Sequence, residues 1–229
     1  MNITHSFLRE NMMVPNAWAL AEELTCNLPI KKGMRILDLG CGRGLSSIFL
    51  AQKYEAEVFA VDLWISSSDN YVRFQKKGVA QRTIPLQLDA TKLPFAENFF
   101  DAVVSIDSYH YFGNNNTYFE KILKPTLKKG AMVAFAFPGM KKELHENIPE
   151  EMKLLWDNDA LQMWHSIDWW KPKFEAHLEN FNISEMDCFS CAWNDWLTCD
   201  NPYAAEDRLM LEADRGRFMN LIKLTGTIR

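Results

Sequence analysis

Residues 36–51, ILDLGCGRGLSSIFLA, set an apolar run against three glycines and then a second apolar stretch. That order specifies a buried strand, a sharp turn and a helix. Glycine enters the left-handed backbone region without penalty and has no side chain to hold a ligand or a helix away from the strand. Gly40, Gly42 and Gly44 are spaced as GxGxG. A dinucleotide fingerprint would need its third glycine at position 45, where the chain has Leu45, and no GxxxxGK loop is present to cradle a triphosphate. The glycines alone also allow a tight turn that binds nothing.

Alternating strand and helix patterns across the first ~140 residues predict a parallel α/β sheet. Strands are expected at 35–39, 56–61, 84–88, 100–106 and 131–137, with helices at 45–54, 68–77 and 116–127. A helix is expected in NMMVPNAWALAEEL, with Pro15 near its first turn. Two late segments, 182–191 and 219–228, read as strands that complete one edge of the sheet. Between them and the core, composition shifts: six of the eight tryptophans follow residue 140. The expectation is one domain over 1–229, divided into an amino-terminal helical lid (1–30), a core (31–139), an insertion capping the site (140–181) and the sheet-completing strands (182–229).

Acidic residues sharpen the reading of the glycine turn. Asp62 ends the second strand about 20 residues past the glycines, where an α/β nucleoside site puts a carboxylate against ribose hydroxyls. Asp89 ends the third strand. Gly40, Asp62 and Asp89 thus fall on one carboxyl edge, the edge along which open α/β sheets bind ligands.

A net charge of -5, with lysines in doublets rather than a stripe, argues against nucleic acid as a partner. The polar first residues and the lack of a long apolar run lead to the expectation of a cytoplasmic protein with no stable membrane association. Cys26, Cys41, Cys188, Cys191 and Cys199 make an odd set, expected as free thiols. Cys188 and Cys191 have the spacing of half a zinc site, but no second pair completes it, so no metal is expected.

Taken together, these motifs resemble a class I S-adenosylmethionine-dependent methyltransferase. ILDLGCGRG is similar to the family's first motif, AVDL to its second-strand acidic motif, LDATKLPFAENFFDAVVS to its third and fourth strand region, and LKKGAMVAFAF to its fifth strand. The resemblance covers roughly 30–140. It implies a Rossmann-like, doubly wound sheet of order 3-2-1-4-5-7-6 with the last strand antiparallel, and S-adenosyl-L-methionine as cofactor. Residue by residue, it implies that Asp38 and Gly40 lie beside the methionine part and that Gly42 and Gly44 complete the turn. Asp62 would bind the ribose, Leu63 or Trp64 flank the adenine, Asp89 and Ala90 read its edge, and Ser105 and Ile106 border the methyl group. More loosely, VPNAWALAEEL, WISSSDN and DSYHYFG are similar to the cyclopropane-fatty-acid-synthase-like and small-molecule methyltransferases (methyltransferase type 11), although the extra segments that hold a lipid chain are missing.

In-line methyl displacement needs alignment and exclusion of water, and needs a base only for a protonated nucleophile. His110, in the run that leaves the fourth strand, is the leading base candidate, such a base contributing ~10²–10⁴-fold. A helix-capping role is equally open to it. Tyr111 and His165 are next in line. Ser166 is expected to cap a helix whose Phe174, Leu178 and Phe181 face the core, and Trp169 and Trp170 cannot both be buried there. Met13, Asn16 and Trp18 belong to the candidate lid. The expected function is methyl transfer to the nitrogen, oxygen or sulfur of a small molecule. Alternatives are a cofactor-binding regulator or subunit without transfer, and fatty-acyl or metalloid methylation. Oligomeric state is left open.

Overall fold

The computed structural model describes residues 3–115 and 117–229; Met1, Asn2 and Asn116, the expected first residue of the helix at 116–127, lie outside the described residues. Seven strands, β1 (Arg35–Leu39), β2 (Glu57–Asp62), β3 (Thr83–Gln87), β4 (Phe100–Ile106), β5 (Leu127–Met140), β6 (Leu178–Glu185) and β7 (Met219–Ile228), form one sheet of order β3-β2-β1-β4-β5-β7-β6. β1 to β5 run parallel, and β7 pairs antiparallel with both β5 and β6. This is the expected Rossmann-like order. Strands covered on both faces are apolar at most positions, which is why β1 reads as apolar apart from Arg35 and Asp38 and β4 apart from Asp101 and Ser105. Their side chains feed two cores in alternation: Ile36, Ala102 and Val104 enter one, Leu37, Leu39 and Val103 the other.

α1 (His5–Asn11) and α2 (Ala17–Thr25) precede the sheet; α3 (Leu45–Tyr54) and α4 (Ser67–Lys76) are the crossovers of its first half. α5 (His110–Gly113) is one short turn after β4. α6 (Asn158–Met163) and α7 (Ile167–Trp170) lie in the insertion, and α8 (Phe189–Leu197) and α9 (Tyr203–Asp214) separate β6 from β7. Chain order reverses on either side of β1, which pairs β2 and β4, so the crevice above the carboxyl end of β1 is the topological switch point.

Four expected elements differ. The expected amino-terminal helix is α2, which starts only at Ala17: Pro15 stands just ahead of its cap, Asn16, whose side chain accepts from Ala19 N at 3.1 Å, and a separate helix, α1, precedes it. The helix at 116–127 is a turn of π-helix, Phe119–Leu123, and a 3-10 turn, Lys124–Thr126, which Pro125 cuts short. The helix after Ser166 ends at Trp170, followed by a 3-10 turn containing Pro172, and Leu178 already belongs to β6, so Phe174 and Leu178 reach the core from a turn and a strand. The late strand therefore starts at 178 rather than 182, and Phe189–Leu197, partly counted with it, is helical. The segment 182–229 holds α8 and α9 as well as strands.

Candidate functional site

The glycine turn carries the first half of the site. Gly40, Gly42 and Gly44 all have positive φ, of 77°, 52° and 79°. A Cβ on Gly40 would fall 1.8 Å from Ser108 Oγ, and one on Gly44 2.5 Å from Phe74 Cε1. Gly40 is thus needed where β1 meets the loop after β4, and Gly44 where α3 packs on α4. Beneath the turn, Asp38 is buried and its Oδ2 accepts from the hydroxyls of Ser46 (2.7 Å) and Ser47 (2.5 Å), tying β1 to the first turn of α3. Burial pushes this carboxyl up to about 6 against the pull of those hydroxyls.

Asp62 closes the opposite wall. Its Oδ2 accepts from Gly42 N at 2.8 Å, and its Oδ1 from Trp64 N at 2.9 Å and Ile65 N at 3.0 Å, so one carboxylate fixes both the glycine turn and the loop after β2. Asp89 caps the 3-10 turn Ala90–Lys92 by accepting from Thr91 N at 2.8 Å and Thr91 Oγ1 at 2.6 Å. These bonds hold its carboxyl below the ordinary range. Together these elements enclose a cavity of about 330 Å³ lined by Gly40, Cys41, Gly42, Asp62, Leu63, Trp64, Asp89, Ala90 and Ile106. Asn11, Met13, Val14 and Ala17 cover it from the amino-terminal segment, and Ser108, Tyr111 and Phe112 from the loop after β4.

A second, larger cleft of about 970 Å³ adjoins the first, and Met13, Val14, Arg43, Trp64, Asp107 and Tyr111 line both. Its other walls come from the insertion (Leu154 to Trp164), from Trp193 and Trp196 on α8, and from Glu206, Asp207 and Met210 on α9. At its floor, Asp107 has a left-handed backbone, φ 51°, and its N–H donates to Ala136 O at 2.6 Å. The Asp107 carboxylate accepts no hydrogen bond among the described residues. Burial, with the charge of Asp207 adding to it, pushes this carboxyl up to about 7. Burial likewise pulls His110 down to about 3, so its imidazole is neutral at pH 7. His110 Nδ1 is buried without a partner and lies 3.8 Å from Asp107 Oδ1, beyond hydrogen-bond length.

Of the expected site residues, the structure gathers Gly40, Gly42, Asp62, Leu63, Trp64, Asp89, Ala90 and Ile106 on the inner cavity, His110 on the outer cleft and Tyr111 on both. Asp38, Gly44 and Ser105 lie behind the wall: Asp38 braces α3, Gly44 admits Phe74, and the Ser105 hydroxyl donates to Leu39 O at 2.7 Å. His165 lines neither cavity. It stacks on Trp169 with centroids 3.6 Å apart, and Glu143 accepts from Ser166 N beside it, so it braces the insertion. Among the lid residues, Met13 reaches the cavities, whereas Asn16 donates to Asp195 Oδ2 at 2.6 Å and Trp18 packs edge-on against Phe49. Of the two adjacent tryptophans, Trp170 is fully buried and Trp169 is not. Of the cysteines, Cys41 lines the inner cavity, where burial holds its thiol far above the ordinary value; none lines the outer cleft. Sequence reasoning missed Asp107 and Asp207. Asp107 follows a parallel strand on the same edge as Asp62 and Asp89, a signal that was present. Asp207, 100 positions later on α9, carries no local signal.

Residues 36–130 match the methyltransferase domain family model. Phosphoethanolamine N-methyltransferase 1 of Triticum aestivum is 28% identical over 127 residues, 54% of this chain and 24% of that protein. In structure, the chain is similar to phosphoethanolamine N-methyltransferase 2 of Haemonchus contortus in complex with phosphomonomethylethanolamine and S-adenosylhomocysteine, with TM-score 0.74 at 19% identity over 98% of this chain and 57% of that one. Geranyl diphosphate C-methyltransferase of Streptomyces coelicolor, in complex with Mg2+, geranyl diphosphate and S-adenosyl-L-homocysteine, gives 0.74 at 16% identity over 92% and 78%. The fold and its glycine-loop core are those of the class I S-adenosylmethionine-dependent methyltransferases. The chain spans about a quarter of the wheat relative and little more than half of the nematode one.

Proposed function

We propose that this chain transfers the methyl group of S-adenosylmethionine to a small molecule held in the outer cleft. One observation carries the reading: the inner cavity and the outer cleft share the wall formed by Met13, Val14, Arg43, Trp64, Asp107 and Tyr111, so a cofactor and an acceptor would have adjoining places. The inner residues suit the cofactor. Gly42 puts no side chain into the cavity, where a Cβ would meet only the flexible end of Met13, and Asp62, on the second strand's carboxyl end, accepts three N–H groups and keeps acceptor capacity for a hydroxyl. Ala90 and the apolar Leu63 and Trp64 suit a flat base. When bound, the cofactor supplies an electrophilic methyl on a sulfonium. The chain's own residues then have to orient the acceptor, exclude water and take a proton where the acceptor carries one. Asp107 and His110, on the cleft wall, are the candidates to take it.

The cap formed by the insertion favours turnover over mere cofactor binding, because it encloses space instead of packing shut. Calorimetry with S-adenosylmethionine, S-adenosylhomocysteine and NAD tests the cofactor. Micromolar binding of the first two is expected, and a preference for NAD would end the proposal. Transfer of isotope-labelled methyl to a panel of amines, phenols and thiols then tests turnover.

A further inference from the structure

We infer that the outer cleft is built to receive a cationic amine, with its ammonium group between Asp107, Asp207 and the aromatic side chains around them. This inference rests on reading that cleft as the acceptor site. The charge balance of the walls is its first support. Asp107, Asp157, Asp159, Glu206 and Asp207 line the cleft against Arg43 as the one guanidinium, whose Nη1 donates to Glu10 O at 2.8 Å. A phosphate or carboxylate here would meet five acidic side chains.

Acidic residues alone do not make a site, and two further observations point to a ligand. His110 is 98% buried by side-chain area, lines the cleft and leaves Nδ1 without a partner, although a buried ring nitrogen ordinarily has one. Its neutral ring offers one acceptor lone pair, which an ammonium N–H fills. Asp107 beside it, with 11% of its side chain exposed, accepts no hydrogen bond among the described residues and sits on a left-handed backbone that costs free energy at a non-glycine residue. Asp207 keeps one oxygen in place by accepting from Trp196 Nε1 at 2.7 Å, which leaves its other oxygen for a ligand.

The walls complete the match. Trp64, Tyr111, Trp164, Trp193, Trp196 and Tyr203 surround the acids, and Trp64, Tyr111 and Tyr203 are exposed despite their size. Aromatic faces attract ammonium groups most strongly when water is excluded, and they cover the carbon skeleton of an aryl or alkyl amine. Both features suit an amine that bears no acidic group, in contrast to the phosphate-bearing ligands in the two structural relatives described above. Such an amine arrives protonated. Its N–H bond breaks with the electron pair left on nitrogen, the proton passes to a carboxylate oxygen of Asp107, and the neutral nitrogen becomes the nucleophile.

The test is direct calorimetry of the full chain, with and without S-adenosylhomocysteine, against four probes: phenethylamine, 1,4-diaminobutane, phosphoethanolamine and phenylacetate. The two simple amines should bind at least tenfold tighter than phosphoethanolamine, and phenylacetate should not bind. Asp107→Asn, which the left-handed backbone tolerates, and Asp207→Asn should each weaken the amines by about tenfold or more, and in Asp207→Asn, whose residue lines the outer cleft and not the inner cavity, S-adenosylhomocysteine affinity should stay within twofold. Tighter binding of the phosphorylated or carboxylated probe, or unchanged amine affinity in both variants, would overturn the inference. Failure of S-adenosylhomocysteine to bind is a separate outcome: it strikes the methyl-transfer proposal, while the amine measurements still decide this one.

Discussion

The inner cavity and the outer cleft share a wall but differ in how their carboxylates are held. Asp62 accepts three backbone N–H groups and Asp89 accepts a backbone N–H and a hydroxyl, all from residues within about one turn of chain or from the facing loop. Each therefore stabilises the unliganded fold as well as shaping the cavity. Asp107 has no such partner, and burial and Asp207 both oppose its ionisation. The inner site is preorganised by bonds that exist without ligand. The outer site keeps free energy unrecovered until something fills it, as groups reserved for a ligand do.

Four substitutions test that contrast. Gly40→Ala should have the largest effect, because the new Cβ meets the Ser108 side chain at 1.8 Å and the backbone is left-handed. Loss of measurable cofactor binding is expected, with a fall in thermal midpoint. Adding Ser108→Gly removes the contact but not the backbone strain of roughly 1–2 kcal/mol, so the pair should recover part of the stability. No recovery would mean that the backbone alone decides the turn.

Asp62→Ala comes next. It takes away charge-assisted hydrogen bonds worth roughly 1.5–3 kcal/mol, so S-adenosylmethionine binding should weaken by about 10–150-fold. Because Gly42, Trp64 and Ile65 lose their acceptor, unfolding in denaturant should also shift, by about 1–3 kcal/mol. Weaker binding at unchanged stability would show that the three backbone bonds are dispensable.

His110→Ala separates the cleft from the cavity. If the imidazole accepts a proton or holds the acceptor, single-turnover transfer should fall by ~10²-fold while cofactor affinity is nearly unchanged. His110→Asn keeps a hydrogen-bonding group that does not titrate near neutrality. Equal losses in both variants indicate proton transfer, and an active Asn variant indicates orientation.

This contrast also explains which parts were legible in the sequence. β1 and β4 match their expected limits to the residue, because strands buried on both faces leave a mainly apolar signature, interrupted here only by Arg35, Asp38, Asp101 and Ser105. The inner cavity's lining was readable because Gly40, Asp62 and Asp89 lie at or just past the carboxyl ends of three neighbouring parallel strands, and topology gathers strand ends. The segment 116–127 was misjudged because Phe119 and Leu123 have helical spacing while Pro125 allows only tight turns. Phe174 and Leu178 misled in the same way, since a spacing of four is also what a turn entering a strand produces. The outer cleft was illegible for a different reason. Asp107 and Asp207 line one cleft only because α9 packs against α8 and the Glu150–Met152 turn, and no local pattern records the proximity of residues 100 positions apart.

The smallest expected effect is on stability, and it runs opposite to the usual sense of a mutation. Asp107 has a folded-state pKa of about 7 against roughly 3.9 when unfolded. Between those values the folded chain binds more protons than the unfolded one, so stability falls as pH rises through that window. Below about pH 4 both states are protonated and the cost is absent; above about pH 7 it is complete. The groups that face Asp107 do not reverse the sign. His110 stays neutral, burial raises Tyr111 out of range, and Asp207 is itself raised by burial. Arg43, on the same walls, stays charged throughout. Asp107→Asn should therefore be more stable than the parent at pH 8, by about 1 kcal/mol after relaxation, and equal to it near pH 4. Paired denaturant titrations across that range measure the difference. A gap that does not depend on pH would mean that the Asp107 carboxylate has found a partner, and the distinction between a satisfied inner site and an unsatisfied outer one would fail at its central residue.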